Sequence, residues 1–243
     1  MGTAITKVTT TQKALCIACF AALLLGSDFA WSQWSSELSA DLPDTLTMAM
    51  QEKVATLFDT GDFERAFFIY RNELVPIGDK YAQYMVGYMY LTGTGIKEDP
   101  VLASAWYRLA AERGTPEFIA ERDQLLRSLN KDQMRRSDVE YIQLRMDYCD
   151  LAVLLSAVKR NLKEVESQTG SRLQGGSNAV MIVEADGRVR SGSEYYGSLR
   201  AQMEDRLKLM QEIGNFEDMQ TDPAKVNLRQ LERRVREYIS SLD

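Results

Sequence analysis

The side chains of this 243-residue chain that could do chemistry are aromatic and acidic. Histidine is absent. That removes Ser-His-Asp and Cys-His nucleophile pairs, the HExxH zinc site and any imidazole proton relay. Three carboxylates gather at Asp59, Asp62 and Glu64. A carboxylate pair hydrolyses a glycosidic bond only when the two face each other across a cleft. These three stand at a helix–turn–helix boundary, where acids serve helix N-termini. Gly93-Thr94-Gly95 lacks the Gly-Lys-Ser/Thr ending of a phosphate-binding loop. The expectation is a chain that is not an enzyme, with no catalytic residue, metal or cofactor. Cys149 is the one cysteine beyond the N-terminal apolar segment. It reads as a small buried apolar residue, with a reactive or intermolecular thiol as the alternative.

The aromatic residues carry more information. Tyr81, Tyr84, Tyr88 and Tyr90 fall on one predicted helix, and Trp106 and Tyr107 on the next. Positions 81, 84 and 88 share a helix face. Facing outward, such rings anchor a peptide or stack on a sugar. Facing inward, they fill the space between helices. Tyr81, Tyr84, Tyr88 and Trp106 are the candidate binding residues.

The elements that position them repeat. Ala66 and Ala103 are 37 residues apart, as are Tyr70 and Tyr107, and Arg71 and Arg108. Gly78 and Gly114 are 36 apart, which leaves one residue of slack near Pro76. Asp99-Pro100 reads as a helix N-cap followed by the first helical residue, and Thr115-Pro116 and Asp222-Pro223 repeat that grammar. Gly78 and Gly114 occupy positions for left-handed C-terminal caps. Gly87 permits a close helix crossing at a propensity cost of about 1 kcal/mol.

Residues 82–114, AQYMVGYMYLTGTGIKEDPVLASAWYRLAAERG, resemble a Sel-one-like repeat, a relative of the tetratricopeptide repeats. The matching positions include Ala82, Gly87, Tyr90, Gly93, Gly95, Asp99, Ala103, Trp106, Tyr107, Ala110 and Gly114. Val86 and Ile96 are conservative departures. Residues 61–79 resemble the second helix of a preceding repeat, and residues 115–145 the tail that closes such an array. The resemblance implies an α-solenoid that binds a protein or peptide through its concave face. Tyr84 and Tyr90 match repeat positions, whereas Tyr81 and Tyr88 do not, which makes the latter two the groove candidates. One complete repeat is not a stable solenoid, so flanking helices must bury its open faces.

Residues 1–13 carry Lys7 and Lys13 and no acid, residues 14–25 are unbroken apolar, and Ala30-Trp31-Ser32 precedes Gln33. This is the grammar of a secretory signal peptide over 1–32, with cleavage between Ser32 and Gln33. The apolar run is shorter than the roughly 20 residues of a spanning helix. An uncleaved anchor and a lipidated Cys19 are the alternatives. The expected compartment is the periplasm or the exterior, with no integral span after signal removal.

Residues 116–129, 131–168, 194–214 and 223–242 read as helices. Asn130 with Gln133 forms a predicted capping box. Leu151, Leu155, Val158, Leu162 and Val165 make a short heptad seam, suited to a helix packed at home or to a coiled coil. Leu228, Leu231, Val235, Tyr238 and Leu242 line a face of the last helix. Arg229, Arg233, Arg234 and Arg236 interleave with Glu232 and Glu237, an ion-paired solvated face. Residues 167–193 are rich in Gly and Ser around AVMIVE, and Asp186-Gly187 is a preferred two-residue hairpin turn. This segment reads as a linker or as a docking loop whose edge strand accepts an incoming strand.

The expected fold is all-α: a short repeat solenoid over 45–129, its complete repeat at about 79–114, followed by a helical region over 130–243 with a small hairpin or loop at 167–193. With formal net charge −6, nucleic acid is a poor partner. The expected partner is an envelope protein or peptide, with a cell-wall glycan as the alternative.

Overall fold

Two helical hairpins in sequence open the fold, and the second repeats the first. The coordinates are a computed structural model, and the structure describes residues 45–169, 181–184 and 187–242. The chain divides into units 1–39 and 40–243, and the described residues all belong to the second. The signal segment and the Ser32–Gln33 junction lie outside the described residues.

Helix α1 spans Thr45–Asp59 and α2 spans Phe63–Ile69, continued by a π turn at Tyr70–Leu74 and a 3-10 turn at Val75–Ile77. Helix α3 spans Lys80–Thr92, and α4 spans Pro100–Ala110 with a 3-10 turn at Ala111–Arg113. The two second helices match in detail. Asp62 and Asp99 are their N-caps, and both helices finish in left-handed glycines, Gly78 (φ 85°) and Gly114 (φ 80°). Asp99 accepts from the backbone N–H of Val101 (3.0 Å) and Leu102 (3.1 Å), as an N-cap should. The one-residue slack in the sequence has a structural counterpart. A π turn closes i→i+5 rings and so absorbs one residue more than an α turn. The first unit has that turn where its spacing is longer, and the second does not.

A third hairpin follows: α5 over Pro116–Ser128 and α6 over Lys131–Tyr148. The predicted capping box is formed, with Asn130 accepting from the N–H of Gln133 (2.9 Å) and the Gln133 amide accepting from the N–H of Asn130 (3.0 Å). Helix α6 packs along α4, so the face of the repeat that a single unit leaves open is covered. The predicted helix over 131–168 is in fact two. The chain turns at Cys149, whose backbone is extended (φ −66°, ψ 163°), and α7 runs from Asp150 to Thr169. No Gly or Pro marks this break, which is flanked by long-range contacts to the Tyr148 carbonyl and the Asp150 carboxylate.

A two-stranded antiparallel hairpin comes next, β1 at Met181–Val183 and β2 at Val189–Ser191. Then α8 runs over Gly192–Gly214 and α9 over Leu228–Ser241. Helix α7 packs on α8, and α9 closes on α6 and α7. The heptad seam is internal packing: Leu151, Leu155 and Val158 are buried. Two expectations for the last helix change. Asp222-Pro223 begins a turn, with the N–H of Ala224 donating to the Asp222 carboxylate (3.0 Å), and the helix starts after Asn227. Its buried face is Leu231, Val235 and Ile239, while Leu242 is exposed. The i, i+4, i+8 spacing keeps one row inward. Among the described residues, no helix is long and apolar enough to cross a membrane.

Candidate functional site

Helix α3 was expected to line an open groove. It is instead buried on all sides over residues 82–89. Tyr84 is 2% exposed, Tyr88 7% and Trp106 2%. Tyr84 lies in a three-ring stack, parallel to Tyr107 (centroids 5.1 Å, 9°) and to Phe118 of α5 (4.8 Å, 6°). Trp106 meets Tyr148 at 5.8 Å, and the Arg71 guanidinium lies 5.0 Å over its ring. Tyr81 is half-buried, edge-on to Tyr70 at 6.4 Å, and burial followed by the nearby Asp79 carboxylate raises its phenol well above the ordinary range. Tyr81 and Tyr84 are neighbours (6.3 Å), Trp106 packs in a separate group with Tyr148 and Arg71, and Tyr84, Tyr88 and Trp106 are buried among the helices. The physical reason is close approach: at Gly87 an added Cβ would stand 2.6 Å from the Tyr107 ring. Helices that cross this tightly leave no open face between them. Gly95, with φ 72°, lets its turn press on the Phe63 carbonyl of α2, so this Gly-Thr-Gly turn is a packing joint.

Behind the aromatic stack lies a charge cluster that local sequence reading missed. The Lys80 ammonium, 6% exposed, donates to the Leu109 carbonyl (3.1 Å) and pairs with Glu112 (3.1 Å) and Asp150 (3.4 Å). Arg113 grips Asp150 with two parallel bonds, Nε–Oδ2 at 3.0 Å and Nη2–Oδ1 at 2.8 Å, and also donates to the Gly78 carbonyl (3.3 Å). The Tyr141 hydroxyl donates to Glu112 (3.2 Å). Four elements thus meet: the start of α3, the end of α4, the middle of α6 and the start of α7.

Electrostatics there work in opposite directions. Burial pushes the Glu112 carboxyl above its ordinary value of 4.5, and Lys80 only partly offsets this. Burial also opposes ionisation of Asp150, but the bidentate Arg113 and the Lys80 ammonium outweigh it and hold that carboxyl below 3.8. Cys149 sits beside the cluster, and burial pushes its thiol up to about 11. It is therefore the inert, buried cysteine of the first reading. The cluster is paired internally, which makes it a clasp. Its signal was non-local: four charged residues, at 80, 112, 113 and 150, with nothing in their spacing to join them.

The fold and geometry can now be set beside known proteins. The model of the Sel1 repeat family matches residues 80–115. This segment is a Sel1 repeat. The matched residues comprise α3, α4 and the capping Gly114, while Gly78 lies just before them. No curated protein and no solved structure matches the chain.

The Sel1 repeat hides its aromatic residues, so the solvent-facing apolar positions lie elsewhere. Phe68 on α2, Val139 and Ile142 on α6, and Met181, Val183 and Val189 on the hairpin are exposed. Three arginines of α9 are partnered as expected of a solvated face: Arg236 with Glu232 (3.4 Å), which also meets Lys159 (2.8 Å), Arg234 with Asp218 (2.5 Å) and Arg233 with Glu237 (3.9 Å).

Proposed function

We propose that this chain is an exported, non-enzymatic adaptor that acts in the periplasm and binds a protein or peptide. The observation that carries the reading is the Sel1 repeat, a type of unit that mediates protein interactions, embedded between two further helical hairpins. Three stacked units give a rigid scaffold, which is how helical repeats present contacts. The basic and then apolar N-terminus with Ala30-Trp31-Ser32 supports export. A glycan-binding reading needs exposed rings, and the burial of Tyr84, Tyr88 and Trp106 withdraws them.

Two measurements test the proposal. Expressed in a bacterial host with its own N-terminus, the chain should be recovered from the periplasm with a mass beginning at Gln33. A full-length cytoplasmic product would refute export. Residues 33–243, used as bait on envelope extract, should retain a defined protein. Retention should fall when the exposed Phe68 or Val139 is changed to Ser, and no retained protein would refute the adaptor role.

A further inference from the structure

The hairpin between α7 and α8 is built inside out. In a sheet packed on a core the inward face is apolar and the outward face polar. Here Ile182, Glu184 and Arg190 turn toward α8, with Arg190 paired to Glu184 (3.0 Å) and in reach of Ser198 (3.4 Å). Met181 (61% exposed), Val183 (68%) and Val189 (55%) face solvent. The Glu184–Arg190 pair lies on the α8 side, and the opposite face displays uncharged apolar side chains.

The backbone shows which edge is usable. The register pairs Met181 with Ser191, Ile182 with Arg190 and Val183 with Val189. The N–H of Glu184 donates to the Arg188 carbonyl (2.8 Å), so the 184/188 and 182/190 positions carry the ladder bonds. The N–H and C=O groups of Met181 and Val183 therefore point out of the sheet. On the β2 side the corresponding Ser191 N–H is already taken by the Glu194 carboxylate (3.1 Å), and the chain enters α8 at once. The edge of β1 is left, and among the described residues no third strand pairs with it.

We propose that the outer edge of β1 docks an extended, uncharged, alternately apolar segment of a partner protein as a third strand. The partner's backbone would pair at Met181 and Val183, and its apolar side chains would lie beside those of Met181, Val183 and Val189. Strand addition of this kind takes affinity from main-chain bonds and selectivity from alternate side chains. Size decides against a second folded copy: a stable interface takes about 20–30 residues a side, and this face offers three side chains. A third strand also gives the hairpin the company that an isolated two-stranded sheet lacks. The inference rests on the adaptor reading and adds its docking element and the chemistry of its partner.

The probe is the peptide KKTVTVTVTKK, titrated into residues 33–243, with KKTSTSTSTKK as control. Binding of the first only, with slowed hydrogen exchange at the Met181 and Val183 amides, is expected. Val183→Pro removes an outward N–H that the ladder does not use, so the hairpin survives, as edge prolines do. It should weaken binding at least tenfold while the Ile182 amide stays protected. Should that variant lose the hairpin, Val183→Thr with Met181→Thr keeps strand propensity and should weaken binding similarly. Equal binding by these variants, or no binding of KKTVTVTVTKK up to millimolar concentration, overturns the proposal. The envelope capture is repeated with the Val183→Pro chain. A partner held equally by both chains refutes strand docking and leaves the adaptor standing, whereas a partner lost with the variant supports both.

Discussion

At the scale of single residues, rings and glycines are structural here. Tyr84 sits between two parallel rings, so Tyr84→Ala should cost about 3–5 kcal/mol and lower the thermal midpoint without touching an exposed surface. Thermal unfolding followed by circular dichroism measures it; an unchanged midpoint would contradict the stack. Gly95→Ala places a Cβ against the Phe63 carbonyl at a left-handed φ and should cost at least about 1–3 kcal/mol from the backbone angle alone. Cys149 should resist alkylation at pH 8 in the native chain and react promptly in urea, because burial holds the thiol near 11. At this scale the sequence was legible for caps and glycines, since Asp99, Asn130, Gly78 and Gly114 act through their own backbone neighbourhood. It was illegible for the direction in which tyrosines face. A tyrosine stripe at helical spacing has the same pattern whether it meets solvent or a neighbouring helix, and the ring of Phe118, far along the chain, decides for Tyr84.

At the scale of elements, the clasp joining α3, α4, α6 and α7 governs. Asp150→Asn leaves the buried Lys80 and the partly exposed Arg113 with one carboxylate fewer, and should cost about 3 kcal/mol in denaturant titration. Its two acids also give stability a pH dependence of opposite signs. Asp150 has a lowered folded value, so its contribution is present above 3.8 and is lost as pH falls through that lowered value. Glu112 has a raised folded value, so its contribution is full below 4.5 and is lost as pH rises through the raised value. Asp150→Asn should flatten the midpoint-versus-pH curve on the acid side, and Glu112→Gln should flatten it above pH 4.5. Identical curves for wild type and both variants would mean the cluster does not couple to folding. The break between α6 and α7 belongs here too. Periodicity runs straight through Cys149, and the chain turns where Gln83 donates to the Tyr148 carbonyl (3.0 Å) and Arg113 and Lys80 hold Asp150. At the hairpin turn the Glu184 N–H meets the Arg188 carbonyl and Gly187 is left-handed (φ 83°), while Asp186, the other half of the expected turn, lies outside the described residues.

At the scale of the whole molecule, the repeat and the C-terminal helices share one unit, 40–243. Helix α6 lies on α4, Asp150 holds Arg113, and the buried Arg145 of α6 donates to the Ile239 carbonyl of α9 (3.0 Å). Urea unfolding of residues 33–243 should therefore be a single transition, coincident by tryptophan fluorescence and by far-ultraviolet circular dichroism. Two separated transitions would show that the halves are independent. The π turn at Tyr70–Leu74 has a consequence for how this chain tolerates change in length. Losing one residue from an α-helix rotates everything beyond it by about 100° and draws it back about 1.5 Å, which sends a buried face into solvent. At the π turn the surplus residue is already looped out of the α register. Removing the exposed Asn72 should let the ladder close as plain α-helix, with Leu74 and Val75 still facing inward as Ala110 and Ala111 do in the second unit. The first hairpin thus carries a removable link, and a chain shortened there should fold, where the same excision in the middle of α4 should not.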